Sequence, residues 1–313
     1  MLAQEVAAPF DDPDFLFEIK WDGYRALLEC DGEGHAHLWS RTARDLGRDL
    51  PALSLALGEE TTVPLLLDGE IVALQDGRSD FERLLRHAEP IVYVAFDLLG
   101  LRRSSFLALP LRERRARLVD KVRPSSRLIL SEGVVGAGIS FFKGVQSLGL
   151  EGMMAKDLHS PYRPGKRSST WRKVLNLRDG VFPVLALELG ETGTVQALWI
   201  HANARSAEPI ARVSGVPLPE RTMLAKLAGP GLPDLAGIRS ERPLARPPEG
   251  LYCRVRYRKI ASGGKLRHPV YVGLVTGDRT LPGTDGQHGD PESRPEGLSS
   301  DREDREDREV SPP

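Results

Sequence analysis

Between residues 18 and 25 the chain reads Glu18-Ile19-Lys20-Trp21-Asp22-Gly23-Tyr24-Arg25, a lysine flanked by two carboxylates and followed by an arginine. A protonated lysine amine is a poor nucleophile. A neighbouring cation, loss of solvent or a bound metal lowers its pKa until it can attack. Phe15, Leu16, Phe17 and Ile19 read as a strand ending at the lysine. Asp22-Gly23 is a tight-turn signal that would present the amine at a pocket mouth. A surface hairpin of alternating charge would look the same, so the reading depends on what else the chain supplies.

More such groups follow in order: Ser40-Arg41, Asp68-Gly69-Glu70, Tyr93-Val94-Ala95-Phe96-Asp97, Glu151-Gly152-Met153-Met154-Ala155-Lys156, then Ser160-Pro161-Tyr162-Arg163-Pro164-Gly165 leading to Trp171-Arg172-Lys173-Val174. Taken singly they are bland: Phe96 a core aromatic, Glu70 a solvated turn carboxylate, Glu151 turn chemistry beside Gly149 and Gly152, Lys173 a surface lysine. With Lys20 to Arg25 as K-x-D-G-x-R, the series resembles the motifs of ATP-dependent DNA ligases. It is most similar to the ligase domain of bacterial end-joining ligases and their stand-alone relatives, over roughly residues 1–280. Each short motif is weak, and their joint order and spacing are a strong signal.

The resemblance implies roles. Lys20 would attack the α-phosphorus of ATP and become lysyl-AMP. Glu18 and Arg25 would flank the adenosine, Arg25 towards the ribose. Arg41 would bind ribose or a phosphate. Glu70 would hold the ribose or assist a metal, and Phe96 would stack on adenine. Glu151 would hold Mg²⁺ or Mn²⁺ at the α-phosphate. Lys173 would neutralise phosphate charge in the transition state, and Lys156 is a weaker candidate. The partner implied is nicked or broken double-stranded DNA, with a Ku-like end-binding protein to hold ends, since only 19 residues precede Lys20.

Two departures stand out. The family's fifth motif carries K-x-K, but here Lys173-Val174 is followed by Leu175. Arg172 is a strand neighbour of Lys173 and should point to the opposite face. The approach to the family's last motif is present as Leu266-Arg267-His268-Pro269-Val270-Tyr271-Val272-Gly273-Leu274, but Val275-Thr276-Gly277-Asp278-Arg279 stands where R-x-D-K is expected. That motif is expected to orient the leaving pyrophosphate. The expectation is impaired self-adenylation, with sealing of a pre-adenylated nick less affected. A catalytically degenerate DNA-binding protein of ligase fold is one alternative, and an RNA ligase or capping-type nucleotidyltransferase another.

The elements that must position these groups are legible in outline. Residues 65–74 repeat the arrangement of residues 15–30, an apolar run on either side of an Asp-Gly turn. Residues 91–99 read as a buried strand. Helices are expected at 80–87, 110–122 and 139–148. In the second of these Leu111, Arg115, Leu118 and Val122 share a face. Short strands at 182–189, 195–202, 209–215 and 251–260, with one helix at 218–228, suit a small β-barrel. The fold expected is an α+β nucleotidyltransferase (ATP-grasp-like ligase adenylation) domain, residues 1–178, then an all-β OB-fold domain, 179–283, and a disordered acidic tail, 284–313.

Composition fits a globular protein: 313 residues, 40% hydrophobic and 28% charged. The net charge of −1 hides a near-neutral first part, a basic segment over 177–285 and an acidic end. Arg254, Arg256 and Arg258 alternate, so a strand would set them on one face, with Lys265 and Arg267 extending a DNA-backbone contact. Two separated cysteines, no apolar run of ~18 residues and no signal segment lead us to expect a monomeric cytoplasmic, nucleoid-associated protein without membrane contact.

Overall fold

The structure, a computed structural model, describes residues 1–203, 208–233, 235, 237–261 and 263–276. The expected tail and residues 277–279, which hold Asp278 and Arg279, lie outside the described residues. No described helix is long and apolar enough to cross a membrane.

Strands and short helices alternate from the start: β1 (Leu2–Glu5), β2 (Asp12–Ile19), β3 (Tyr24–Cys30), β4 (Ala36–Ser40), α1 (Pro51–Glu60), β5 (Leu65–Gln75), β6 (Arg78–Ser79), α2 (Phe81–Leu85), β7 (Ile91–Leu101), β8 (Ser104–Ser105), α3 (Leu111–Lys121), β9 (Leu128–Leu130), β10 (Gly133–Gly136), α4 (Gly138–Ser147), β11 (Gly152–Asp157) and β12 (Arg167–Leu175). They form two mixed sheets, β1-β12-β11-β2-β10 and β4-β3-β5-β7-β8, with β6 beside β5 and β9 beside β7. The expected helices are present as α2, α3 and α4. Residues 91–99 are all buried within β7, as the dense apolar run implies. Met1, Phe96, Leu99, Tyr162 and Trp171 join residues of both sheets into one apolar cluster. The segment Lys20–Gly23 crosses from β2 in one sheet to β3 in the other.

One local expectation is corrected. Asp68-Gly69 is no turn: β5 runs through it from Leu65 to Gln75. A Cβ on Gly69 would sit 2.4 Å from the Tyr93 ring. Asp68 is fully buried and takes the Arg25 guanidinium. The Asp-Gly pair thus marks a close strand approach, with a register shift against β7 between Asp68 and Gly69. On α3 the fully buried arginine is Arg114. It donates through Nε and Nη2 to Asp97, each at 2.8 Å, beside the expected face, where Leu111, Leu118 and Val122 are buried and Arg115 donates to Phe96 O at 3.2 Å.

The chain continues as β13 (Arg178–Leu189), β14 (Val195–His201), β15 (Pro209–Ser214), α5 (Leu218–Leu227), β16 (Gly231–Leu232), β17 (Leu244–Ala245), β18 (Leu251–Tyr257) and β19 (Val270–Thr276). The strand order is β15-β14-β13-β17-β16, with β18 joining β13 to β19. The first half of β13 pairs with β18 and the second with β14, so one long strand serves both sides. Leu266 N donates to Ile210 O of β15 at 2.9 Å, which ties the segment between β18 and β19 to that strand. The core is apolar, with Leu187, Leu198, Ile200, Val213, Leu224, Cys253 and Val255 buried. These elements and the first two sheets belong to one compact unit, Met1–Val275.

Candidate active site

Lys20 follows the last residue of β2, and its backbone N–H is held by Gly152 O at 3.0 Å. The crossover after it needs glycine for reasons of space. A Cβ on Gly23 would lie 2.1 Å from the carbonyl oxygen of Ile71 in β5, so only a bare backbone lets the crossover pass this close. Lys20 Nζ donates to Glu151 Oε2 at 2.6 Å, and Glu151 stands just before β11.

Two cavities meet at this lysine. Lys20, Trp21 and Glu70 line both. One cavity, of about 270 Å³, is walled by Phe96, Trp171 and Met154 together with Glu18, Arg25 and Lys156. Lys173 also faces it and pairs with Glu5 at 2.9 Å. The other, of about 490 Å³, is walled by charged residues that include Glu151, Arg178, Arg258, Lys259 and Arg267.

The first cavity has a charged floor beneath an aromatic lining. Lys156 and Glu18 are almost completely buried, with Nζ 2.5 Å from Oε2. Nζ lies 3.9 Å from the centre of the Phe96 ring and 4.5 Å from that of Trp171. Burial pushes the Lys156 amine below the ordinary lysine range, against the pull of Glu18. Arg115 approaches Glu18 from α3 at 3.5 Å. Arg25 is fixed by two bonds to Asp68, at 3.0 and 2.6 Å, and Tyr162 donates to the same carboxylate. The Glu70 carboxyl is pushed up to about 8. Burial is the main cause and Glu151 and Asp68 add to it, while Lys20 and Arg25 oppose it.

Glu18, Lys20, Arg25, Glu70, Phe96, Glu151 and Lys173, singled out in the sequence, therefore gather around the two cavities. Arg41 does not: it is exposed in the turn after β4. Arg172 lies over the Phe10 and Phe15 rings, away from the cavities. Leu175 occupies the strand position two beyond Lys173. Arg254 and Arg256 of β18, with Arg258 just past its end, alternate with buried Leu251, Cys253, Val255 and Tyr257, but the partners of Arg256 and Arg258 divide the stripe. Arg256 pairs with Asp179 on an exposed surface, whereas Arg258 Nη1 donates to Glu151 Oε1 at 2.8 Å. Lys265 donates to Pro209 O. Arg267 pairs with Glu82 at 3.1 Å. Sequence reasoning missed Trp171 and Met154 as cavity walls, and ranked Lys156 low. Trp171 sits in the quoted Trp-Arg-Lys-Val stretch, where two-residue periodicity from Lys173 was the available signal.

Among the described residues no three His, Cys, Asp or Glu side chains form a metal cage. Glu151 and Glu70 beside Lys20 would leave the remaining positions to phosphate oxygens and water, the usual manner of holding Mg²⁺ with a nucleotide. The carboxylates fit such an ion on those terms.

Comparison with known proteins follows the same lines. Residues 1–174 match the family model described as ATP dependent DNA ligase domain. The multifunctional non-homologous end joining protein LigD of Mycolicibacterium smegmatis is 29% identical over 303 residues, 88% of this chain and 38% of that protein. DNA ligase C of Mycobacterium tuberculosis is 33% identical over 214 residues, 62% of this chain and 58% of that protein. The chain thus spans under two thirds of both relatives. A solved structure described as mycobacterial DNA ligase D complexed with ATP and MES is 28% identical, with a TM-score of 0.54 over 89% of this chain and 96% of that one.

Proposed function

The chain belongs to the family of ATP-dependent DNA ligase domains, and on that premise we propose that it seals nicks or breaks in duplex DNA through a lysyl-AMP intermediate on Lys20. The observation that carries this is the position of Lys20, where an aromatic cavity and a polycationic cavity meet, with Glu151 Oε2 2.6 Å from its amine. The aromatic side is read as the adenosine site. Phe96 and Trp171 offer π-faces to a base, and Glu18 and Arg25 flank it. Glu70 is read as holding the ribose. Residues 1–178 are read as the adenylation domain and residues 179–283 as an OB-fold domain.

In the first step the neutral Lys20 amine attacks the α-phosphorus. A nitrogen–phosphorus bond forms, the bond to the bridging oxygen breaks, and pyrophosphate leaves. The Lys20 ammonium gives up one proton to water before attack, and the nitrogen gives up a second as the phosphoramidate forms, while Glu151 holds the amine in position. A divalent cation held by Glu151, with Glu70, would withdraw charge from the phosphate and favour the unprotonated amine. Lys173 faces the same space and offsets developing charge, while Leu175 leaves that strand one cation short. The consequence is adenylation slower than in a chain carrying both lysines. AMP then passes to a DNA 5′-phosphate, and a 3′-hydroxyl displaces it. Arg254 and Arg256, outside the cavities, are read as backbone contacts to DNA, and a Ku-like end-binding protein as a partner.

Intact-protein mass measurement after incubation with ATP and Mg²⁺ tests this, with Lys20→Ala and a nick already carrying 5′-AMP as controls. The expected result is an AMP adduct on the wild type that Lys20→Ala lacks. No adduct together with no sealing of the pre-adenylated nick would refute the enzyme reading and leave a DNA-binding role.

A further inference from the structure

Arg258, Lys259 and Arg267 are held by one small ladder beyond β18. Arg258 N donates to Arg267 O at 3.0 Å, Arg267 N donates to Lys259 O at 2.9 Å, and Ile260 bridges to Leu266. Leu266 is buried in the apolar core of that sheet, so the ladder is anchored. All three cations line the cavity that contains Lys20, and each pairs with a carboxylate remote in sequence. Arg258 takes Glu151 at 2.8 Å, Lys259 takes Asp22 at 2.8 Å and Arg267 takes Glu82 at 3.1 Å. Arg78 and Arg178 line the same cavity. With Lys20 the lining holds six Lys and Arg side chains against four Asp and Glu. Burial and Arg258 hold the neighbouring His268 below the ordinary histidine range, so the charge is carried by the lysines and arginines.

We propose that Arg258, Lys259 and Arg267 bind the β- and γ-phosphates of ATP and hold pyrophosphate as it leaves, in place of the cations absent around Leu175 and Val275. The inference rests on the reading of Lys20 as the nucleophile. Attack in line sends the leaving group away from the amine, and the larger cavity extends from Lys20 towards these three cations. Its volume of about 490 Å³ has room for a triphosphate tail, and its excess of positive charge suits a polyanion. Without nucleotide the three cations rest on carboxylates, which keeps the pocket charges compensated until phosphate replaces them. Two of the five residues grouped in the sequence with DNA contact, Arg258 and Arg267, thereby move to the nucleotide.

The test compares two steps in the full chain with Arg267→Ala, Lys259→Ala and the double variant, and with Arg267→Lys and Lys259→Arg as conservative controls. The first is lysyl-AMP formation over a range of ATP concentrations, together with its reversal by added inorganic pyrophosphate. The second is sealing of a nick already carrying 5′-AMP. Removing one such donor typically lowers a rate about 10²-fold. Adenylation and pyrophosphate-driven reversal should both fall by that order in the alanine variants and recover in the conservative ones, while sealing changes less than ~3-fold. Unchanged adenylation in the double variant overturns the proposal. So does an equal loss of both steps, which would place these cations on DNA or in the fold. A wild type that forms no adduct and seals nothing instead overturns the reading of Lys20.

Discussion

Replacing Lys156 with methionine keeps the side-chain length and its apolar stem but removes the charge that Glu18 leans on. Both groups are buried, at 2% and 1% exposure, with 2.5 Å between Nζ and Oε2. Removing one partner of a buried pair costs about 3–5 kcal/mol, because the other charge is stranded. Arg115 stays 3.5 Å from Glu18 and retains part of the compensation, which moves the expectation to about 2–4 kcal/mol. The contacts of Nζ with the Phe96 and Trp171 rings add to the loss, at about 1 kcal/mol. With each kcal/mol shifting Tm by roughly 2–4 °C, the combined loss of about 3–5 kcal/mol should make Lys156→Met melt roughly 6–20 °C lower. Glu18→Gln combined with Lys156→Met removes the stranded charge. The double variant should therefore be more stable than the two single losses summed, by at least ~1.5 kcal/mol. Denaturant unfolding of the four proteins in nucleotide-free buffer measures this. A single-variant loss under ~1 kcal/mol, or strict additivity, would refute the account of a mutually dependent buried pair.

Gly23→Ala forces a methyl against the Ile71 carbonyl and displaces the crossover that carries Lys20. Adenylation should fall about 10²-fold while circular dichroism still reports a folded protein, and a variant with wild-type adenylation would contradict it. Glu188 in β13 accepts from Arg212 Nε at 2.9 Å and Trp199 Nε1 at 3.1 Å, and the bond to Arg212 holds its carboxyl below the ordinary glutamate range. A depressed folded pKa contributes stability above the unfolded value, near 4.5, that is lost as pH falls through the folded one. Glu188→Gln should therefore cost about 1–3 kcal/mol at pH 7, and its unfolding curve should converge with the wild type towards pH 3. Burial pushes the Cys30 thiol up to about 11 and that of Cys253 up to about 12. Neither should react with a disulfide reagent at pH 8 until denaturant is added, when both should.

Local signals carried much of this molecule. The strand before Lys20, the break in it at Asp22-Gly23, the buried run 91–99, helices α2 to α5 and the β-rich second half are all written in short-range periodicity and turn residues. So was the gathering of Lys20, Glu70, Phe96, Glu151 and Lys173, because the order of short motifs is itself a sequence property. What residues do to one another across the chain was not legible. The same Asp-Gly dipeptide lies in a crossover between two sheets at 22–23 and in an unbroken strand at 68–69, where the Tyr93 ring and the Arg25 guanidinium pack against it. Lys156 reads as one more strand lysine until Glu18, Phe96 and Trp171 close around it. Arg258 and Arg256 are equivalent members of one alternating stripe in sequence. Only the tertiary structure brings the first to Glu151, 107 positions away, and leaves the second on an exposed surface with Asp179. Charge pairing at close range depends on which distant segments share a few ångströms of space, and a pattern of two or four residues holds no record of that.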